Sequence, residues 1–199
     1  MPKKWLADLH QAMEANQLVE VDCAPILDDA VTGYVVGATE AFILIHELDP
    51  AMYLDGYVAV YAPHVKRHRI VDDWDAFATR ALQLRGIAPK MLPTISLSDF
   101  PSLLTTIQER FPLVVLTRRM KGEELCCIGK VLKLSRRTVT LREIDPGAEW
   151  EVTRRHRFQD ILRIDFGGGY ANALWEVHSA THRKKGSKRS RSKAYKGTG

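Results

Sequence analysis

Several groups of residues have the types and spacings to do chemistry. His64/His68 and His178/His182 are histidine pairs four residues apart, the separation at which one helix face presents two imidazoles to zinc. A catalytic zinc also needs a third ligand and, usually, a glutamate base. His64/His68 falls in a segment that reads as strand, and His178/His182 at a helix end, where a cationic imidazole favours the dipole, so no metal is expected. Glu47/Asp49 and Glu143/Asp145 are acidic pairs that could share acid–base work. Each stands directly before a proline, Pro50 or Pro146, where turn and strand-end chemistry accounts for it. Gly167-Gly168-Gly169 could offer N–H groups to a phosphate. With no G-x-G-x-x-G and no P-loop lysine beside it, a tight strand-to-helix turn is expected. No G-x-S-x-G occurs and no Cys/His pair stands out as nucleophile and base, so no enzyme and no cofactor are expected.

Positive charge is the remaining signal. Arg183, Lys184, Lys185, Lys188, Arg189, Arg191, Lys193 and Lys196 form a run with no acid after Glu176. These eight of the 29 basic residues leave 21 against 24 acids, so a slightly acidic body carries a basic tail. Residues 183–199 have too little apolar surface to fold alone and are expected to be disordered. Such a segment neutralises phosphates and releases counterions, giving salt-sensitive affinity for nucleic acid, and Tyr195 could stack on a base. A second run, Arg154-Arg155-His156-Arg157, lies in a predicted strand, with Arg136-Arg137 at a turn and Arg118-Arg119 nearby. Alternate strand residues face opposite ways, so only half of each run shares a surface. One reading is a phosphate-contacting face continuous with the tail; the other is an edge strand protected by charge. His64-Val65-Lys66-Arg67-His68-Arg69 is the basic counterpart earlier in the chain.

The elements that must position these residues repeat. Residues 18–78 lie over 114–174 at a constant offset of 96, without gaps. Gly33 meets Gly129, Glu47, Asp49 and Pro50 meet Glu143, Asp145 and Pro146, and Arg67 meets Arg163. Each copy reads as a helix followed by five strands. The helices are Trp5 to Asn16, with Trp5, Leu6, Leu9 and Met13 on one face, and Ser102 to Arg110, with Leu103, Leu104 and Ile107 at helical spacing. The predicted strands are Leu18–Cys23, Gly33–Ala38, Ala41–Leu48, Tyr57–Tyr61 and Val65–Ile70, then Leu113–Arg118, Cys127–Leu134, Thr138–Ile144, Trp150–Arg155 and Ile161–Phe166. A closing helix follows each set: one from Asp72 or Asp73 to Leu84, with Trp74, Phe77, Ala78, Ala81 and Leu82 as its apolar stripe, and Tyr170–His178.

Helix, then a strand carrying Gly33-Tyr34-Val35-Val36-Gly37 or Gly129-Lys130-Val131-Leu132, then a long third strand: this order resembles the Sm-like (Lsm) fold. The resemblance implies two tandem SH3-type, Sm-like five-stranded small barrels, mainly β with flanking helices (α+β). Sm proteins also carry an apolar run ending in Arg-Gly or Lys-Gly. Neither Val58–Val65 nor His156–Ile161 has it, so no RNA-site residue carries over. The second copy also resembles uncharacterised bacterial proteins ending in Ile-Asp-Phe-Gly-Gly-x-Tyr, here Ile164 to Tyr170, from which no function can be imported.

The 45% hydrophobic and 27% charged fractions suit a globular protein. No apolar run reaches the ~20 residues a bilayer demands, and Met1-Pro2-Lys3-Lys4-Trp5 does not open a signal peptide. Cys23, Cys126 and Cys127 lack C-x-x-C spacing and read as reduced thiols. The expected organisation is a first repeat over 1–86, a linker over 87–98, a second repeat over 99–182 and the tail over 183–199. The expected function is non-enzymatic, cytoplasmic binding of RNA in preference to DNA, with no membrane partner. Arg154, Arg155, Arg157 and the tail residues Arg183, Lys184, Lys185, Lys188, Arg189, Arg191 and Lys193 would contact phosphates. The rival is an assembly module that pairs with itself or another protein and has no nucleic-acid role.

Overall fold

A computed structural model describes residues 4–24, 29–120 and 123–194, with the side chains of 72–76, 120 and 183–194 outside the described residues. α1 (Lys4–Glu14) turns Leu9 and Ala12 into the core, with Trp5 and Met13 packed beside them, as their helical spacing requires. Five strands follow: β1 (Leu18–Asp22), β2 (Val31–Ala38), β3 (Phe42–Leu48), β4 (Leu54–Tyr61) and β5 (Arg67–Ile70), then α2 (Asp72–Leu84). The second half runs α3 (Phe100–Gln108), β6 (Val114–Met120), β7 (Glu123–Leu134), β8 (Thr138–Ile144), β9 (Trp150–Arg157), β10 (Ile161–Phe166) and α4 (Gly169–Ala194). Asp99 caps α3 by accepting the Ser102 N–H at 2.7 Å. α4 is longer than the predicted Tyr170–His178, and α2 departs from its predicted stripe. Ala78 and Leu82 are buried, Phe77 is 63% exposed, and the Trp74 side chain lies outside the described residues. Among the described residues, no helix is long and apolar enough to cross a membrane.

The ten strands form one open antiparallel sheet, ordered β5-β1-β2-β3-β4-β10-β6-β7-β8-β9. This corrects the expectation of two closed five-stranded barrels. Each half contributes five neighbouring strands in the same relative order, and neither closes on itself. Instead β4 gives its outer edge to β10, placing Tyr57 opposite Phe166 and Val60 opposite Arg163. The residues explain the choice. Tyr57, Val58, Ala59 and Val60 are all buried, as are Ile161, Leu162, Ile164 and Phe166. Left open, two such apolar edges would expose unpaired backbone groups to aggregation, and pairing them with each other removes both. The strands that do end the sheet are the charged ones: β5 is Arg67-His68-Arg69-Ile70, and β9 closes in Arg154-Arg155-His156-Arg157.

Several turn hydrogen bonds recur at corresponding places in the two halves. Thr39 N–H donates to Phe42 O at 2.8 Å as Ser135 N–H does to Thr138 O at 2.9 Å. Ala62 N–H donates to Ala41 O at 2.9 Å as Phe158 N–H does to Arg137 O at 3.0 Å. In the Asp-Pro turns, Asp49 Oδ1 accepts from Tyr53 N–H and Asp145 Oδ1 from Glu149 N–H, at 2.7 and 2.8 Å. Met52 and Ala148 share a φ of 61° there. These aspartates hold backbone turns, as their place before proline suggested.

One core cluster spans both halves. Phe42, Leu44 and Tyr57 from the first, Leu103, Leu104 and Ile107 of α3, and Leu116, Leu141, Ile164 and Phe166 from the second pack together. Buried Ile95 and partly buried Leu92 and Leu97 bring the 87–98 segment onto it. A second joint lies where β4 begins. Asp55 Oδ1 accepts the Gly169 N–H at 2.7 Å, so the triple glycine opens α4 onto a carboxylate already in place, which answers its N-terminal dipole. Gly56 has φ +74°, and a Cβ there would stand 2.5 Å from the Gly168 nitrogen. Gly56→Ala therefore combines a left-handed residue with a backbone collision. We expect it to cost about 3 kcal/mol, read as a lowered urea midpoint with an unchanged m-value; an unaltered midpoint would show that the joint yields freely.

Candidate nucleic-acid interface

β9 separates its basic run by strand alternation. Arg155 and Arg157 point to one side, while His156 is 2% exposed on the other. Arg155 and Arg157 meet Arg136, Arg137 and Thr138 from the β7–β8 turn across an open cleft of 870 Å³. Its remaining wall holds four rings, Tyr61 from the end of β4, His64 from the following 3-10 turn, Phe100 at the start of α3 and Phe158 just after β9, together with Asp99, Pro101 and Gln159. Phe100 stacks on Phe158 with centroids 4.9 Å apart and planes 6° from parallel, and Tyr61 lies 5.2 Å from Phe100. His64 stands edge-on to Tyr61 at 5.0 Å. Burial lowers its pKa, with Lys66 adding to the effect.

The four arginines are exposed. Arg157 pairs with Asp160 at 2.9 Å, whereas Arg136, Arg137 and Arg155 make no ion pair with a described residue. In the corresponding basic run of the first half, Arg67 and Arg69 are already paired. Arg67 bonds Asp22 through Nε and Nη2 at 3.1 and 2.7 Å, and Arg69 bonds Glu20 at 2.9 and 2.8 Å. The pKa of each carboxylate is lowered, for Glu20 chiefly by the Arg69 hydrogen bond and for Asp22 first by the Ala24 N–H and then by Arg67. Arg67 and Arg69 are therefore held across their strand, whereas Arg136, Arg137 and Arg155 are not, among the described residues.

Of the residues predicted to contact phosphate, Arg155 and Arg157 come together in this cleft. Arg154 does not join them; it shares the His156 side and lies 3.5 Å from Glu143. The side chains of Arg183, Lys184, Lys185, Lys188, Arg189, Arg191 and Lys193 lie outside the described residues. The sequence singles out His64 only as half of a histidine pair and in a basic run, and does not mark Tyr61, Phe100 or Phe158; the four rings converge from three separate places in the chain. The signal available was the adjacency of Phe158 to Arg157 and of Phe100 to a helix-starting Pro101.

Other polar clusters are internal. Arg163 bonds Asp165 at 2.9 and 3.0 Å and approaches Glu47 at 3.6 Å beneath the β4–β10 seam. Burial raises the pKa of both carboxylates while Arg163 opposes the rise. His156 Nε2 lies 3.1 Å from Glu143 Oε1 with half-buried Cys127 beside them. Arg118 and Arg154 direct positive charge at this group. His46, buried under Tyr57 at a stacking distance of 4.4 Å, accepts the Lys90 N–H on Nδ1 at 3.1 Å.

Burial, reinforced by Lys90, pushes the His46 pKa down to about 4 from an ordinary value near 6.5. A lowered histidine pKa means that the unfolded chain binds a proton the folded chain refuses between those two values. Stability is then full above about pH 6.5 and falls as pH drops toward 4, by about 3 kcal/mol for this one residue. Urea unfolding of wild type and His46→Gln at pH 7 and pH 4.5 checks this. The wild type should lose more stability on acidification than the variant, and parallel losses would assign the acid sensitivity elsewhere.

No protein-family model matches this chain, and no curated protein is similar to it.

Proposed function

We propose that this chain is a non-enzymatic nucleic-acid-binding protein that takes single-stranded RNA in preference to DNA. The supporting observation is the cleft in which Arg136, Arg137, Arg155 and Arg157 surround Tyr61, Phe100 and Phe158. Guanidinium groups neutralise phosphates and make affinity salt-dependent. Aromatic faces stack on bases only where bases are unpaired, which favours a single strand. The basic tail adds a second electrostatic contact on the same chain. We also read the two halves as copies of one unit, in which Arg67 and Arg69 of the first are paired across their strand while Arg136, Arg137 and Arg155 of the second have no ion pair with a described residue. The rival assembly reading has less support, because the free sheet edges β5 and β9 are both lined with arginine side chains, a composition that disfavours edge-to-edge strand pairing.

Fluorescence titration of the full chain with a labelled single-stranded RNA, single-stranded DNA and duplex DNA at low and moderate salt tests the proposal. RNA should bind most tightly, with affinity falling steeply as salt rises. Absence of binding to every one of these at low salt would overturn it.

A further inference from the structure

The two halves fasten their closing helices to their Asp-Pro turns at the same place by different means. In the first half the fastener is a cation. The Arg85 guanidinium, just past α2, donates to the carbonyls of Ala51, at 2.9 Å, and Met52, and lies 4.1 Å above the Tyr53 ring. In the second half the position equivalent to Met52 is Ala148, and its carbonyl is again engaged, now by His178 Nδ1 at 2.9 Å. Tyr53 is replaced by Glu149, and one turn along α4 stands His182. The His178 and His182 rings are 4.1 Å apart, and His182 Nε2 is 3.5 Å from Glu149 Oε2. One ligand atom from each of Glu149, His178 and His182 lies within 4.8 Å of the others. Where the first half sets a fixed positive charge, the second gathers two imidazoles and a carboxylate.

We propose that Glu149, His178 and His182 form a binding site for a borderline first-row divalent cation, zinc being the representative. Two histidines at i and i+4 on one helix face chelate such an ion directly. The Nδ1–H bond from His178 to the Ala148 carbonyl is the outer contact that fixes a ligating imidazole's tautomer, leaving Nε2 toward the ion. Two nitrogens and one oxygen suit zinc and its neighbours, whereas magnesium and calcium call for oxygen alone. His178 is buried between Trp150 and Trp175, with ring centroids 4.7 and 6.0 Å away, so it cannot swing out of place. Glu149 and His182 are half-exposed, at 53% and 40% of their side-chain surface, and leave the fourth position to water. The bound ion pins α4 to the β8–β9 turn immediately before the basic segment begins at Arg183. The Cys127, Glu143 and His156 group has the better burial but the worse field, since Arg118 and Arg154 already bring positive charge to it.

Zinc titration of the tag-free full chain, stripped by chelator and followed by calorimetry, tests the site. One ion should bind per chain and raise the melting temperature. His182→Ala and Glu149→Gln should each weaken binding at least about tenfold, with metal-free melting close to the wild type because an exposed pair such as theirs contributes little to folding. Cys127→Ser should bind zinc as the wild type does. Cobalt substitution should give ligand-field bands without a thiolate charge-transfer band. Failure of the wild type to bind zinc, binding unaltered by His182→Ala, or binding lost in Cys127→Ser would each overturn the proposal.

Discussion

Phe166→Ala is expected to destabilise the whole chain by about 3–5 kcal/mol and to do so in a single unfolding transition. Phe166 is 1% exposed at the end of β10. Its ring lies 5.6 Å from Tyr57 of the first half and 5.0 Å from Phe111 in the α3–β6 connection. On its two sides its backbone pairs with Tyr57 of β4 and Val114 of β6. Truncation removes the transfer free energy of a ring and leaves a cavity that three neighbouring elements cannot all relax into. Against a total stability of about 5–15 kcal/mol, that is a large fraction. For a chain of this size the melting temperature should fall by roughly 10 °C. Calorimetry decides whether the halves are one cooperative body. Two separable transitions, with the first-half transition unmoved by the substitution, would refute a shared core.

That shared core was the part least legible in the sequence. Element types were readable because local patterns specify them: the apolar spacing of Leu103, Leu104 and Ile107 makes α3, and Asp-Pro ends both third strands. The two turns were readable because the same Asp-Pro chemistry recurs at Asp49 and Asp145. What no local pattern specifies is which edge a strand pairs with. β4 and β10 are equally apolar whether each closes its own barrel or whether they meet each other, so the sequence supported a closed unit and the structure shows a continued sheet. The charges were legible as residues but only partly as a surface. Arg67 and Arg69 looked equivalent to the later arginines until Asp22 and Glu20, distant in sequence, were seen across the strand. Arg154 left the group because strand period two sends it to the other face. Phe77 failed as a core residue for a similar reason: a stripe states that a helix has an apolar side, while its neighbours decide how much of that side is covered.

The two charge pairs of the cleft set the other large expectation. Replacing Arg155 and Arg157 together by alanine, or Arg136 and Arg137 together, should weaken binding of single-stranded RNA about ten- to thirtyfold at ~0.1 M salt. Each lost phosphate contact on a single strand removes about 0.7 from the slope of log affinity against log salt, so each double variant should flatten it by about 1.4. Arg157 is also held by Asp160, but an exposed pair of this kind contributes little to folding. All four side chains are exposed, so melting should stay near the wild type. A Tyr61→Leu variant adds a separate readout. It removes a stacking face without touching charge, so affinity should fall while the salt slope holds. Deleting 183–199 distinguishes the tail from the cleft. If the deletion alone removes binding and neither arginine pair changes the slope, the cleft is a solvated surface and the tail is the whole interface. If the truncated chain keeps a salt-dependent affinity that the arginine pairs then abolish, the cleft is where the strand lies. Arg136, Arg137 and Arg155 then differ in use from Arg67 and Arg69 because, among the described residues, no carboxylate across the strand pairs with them.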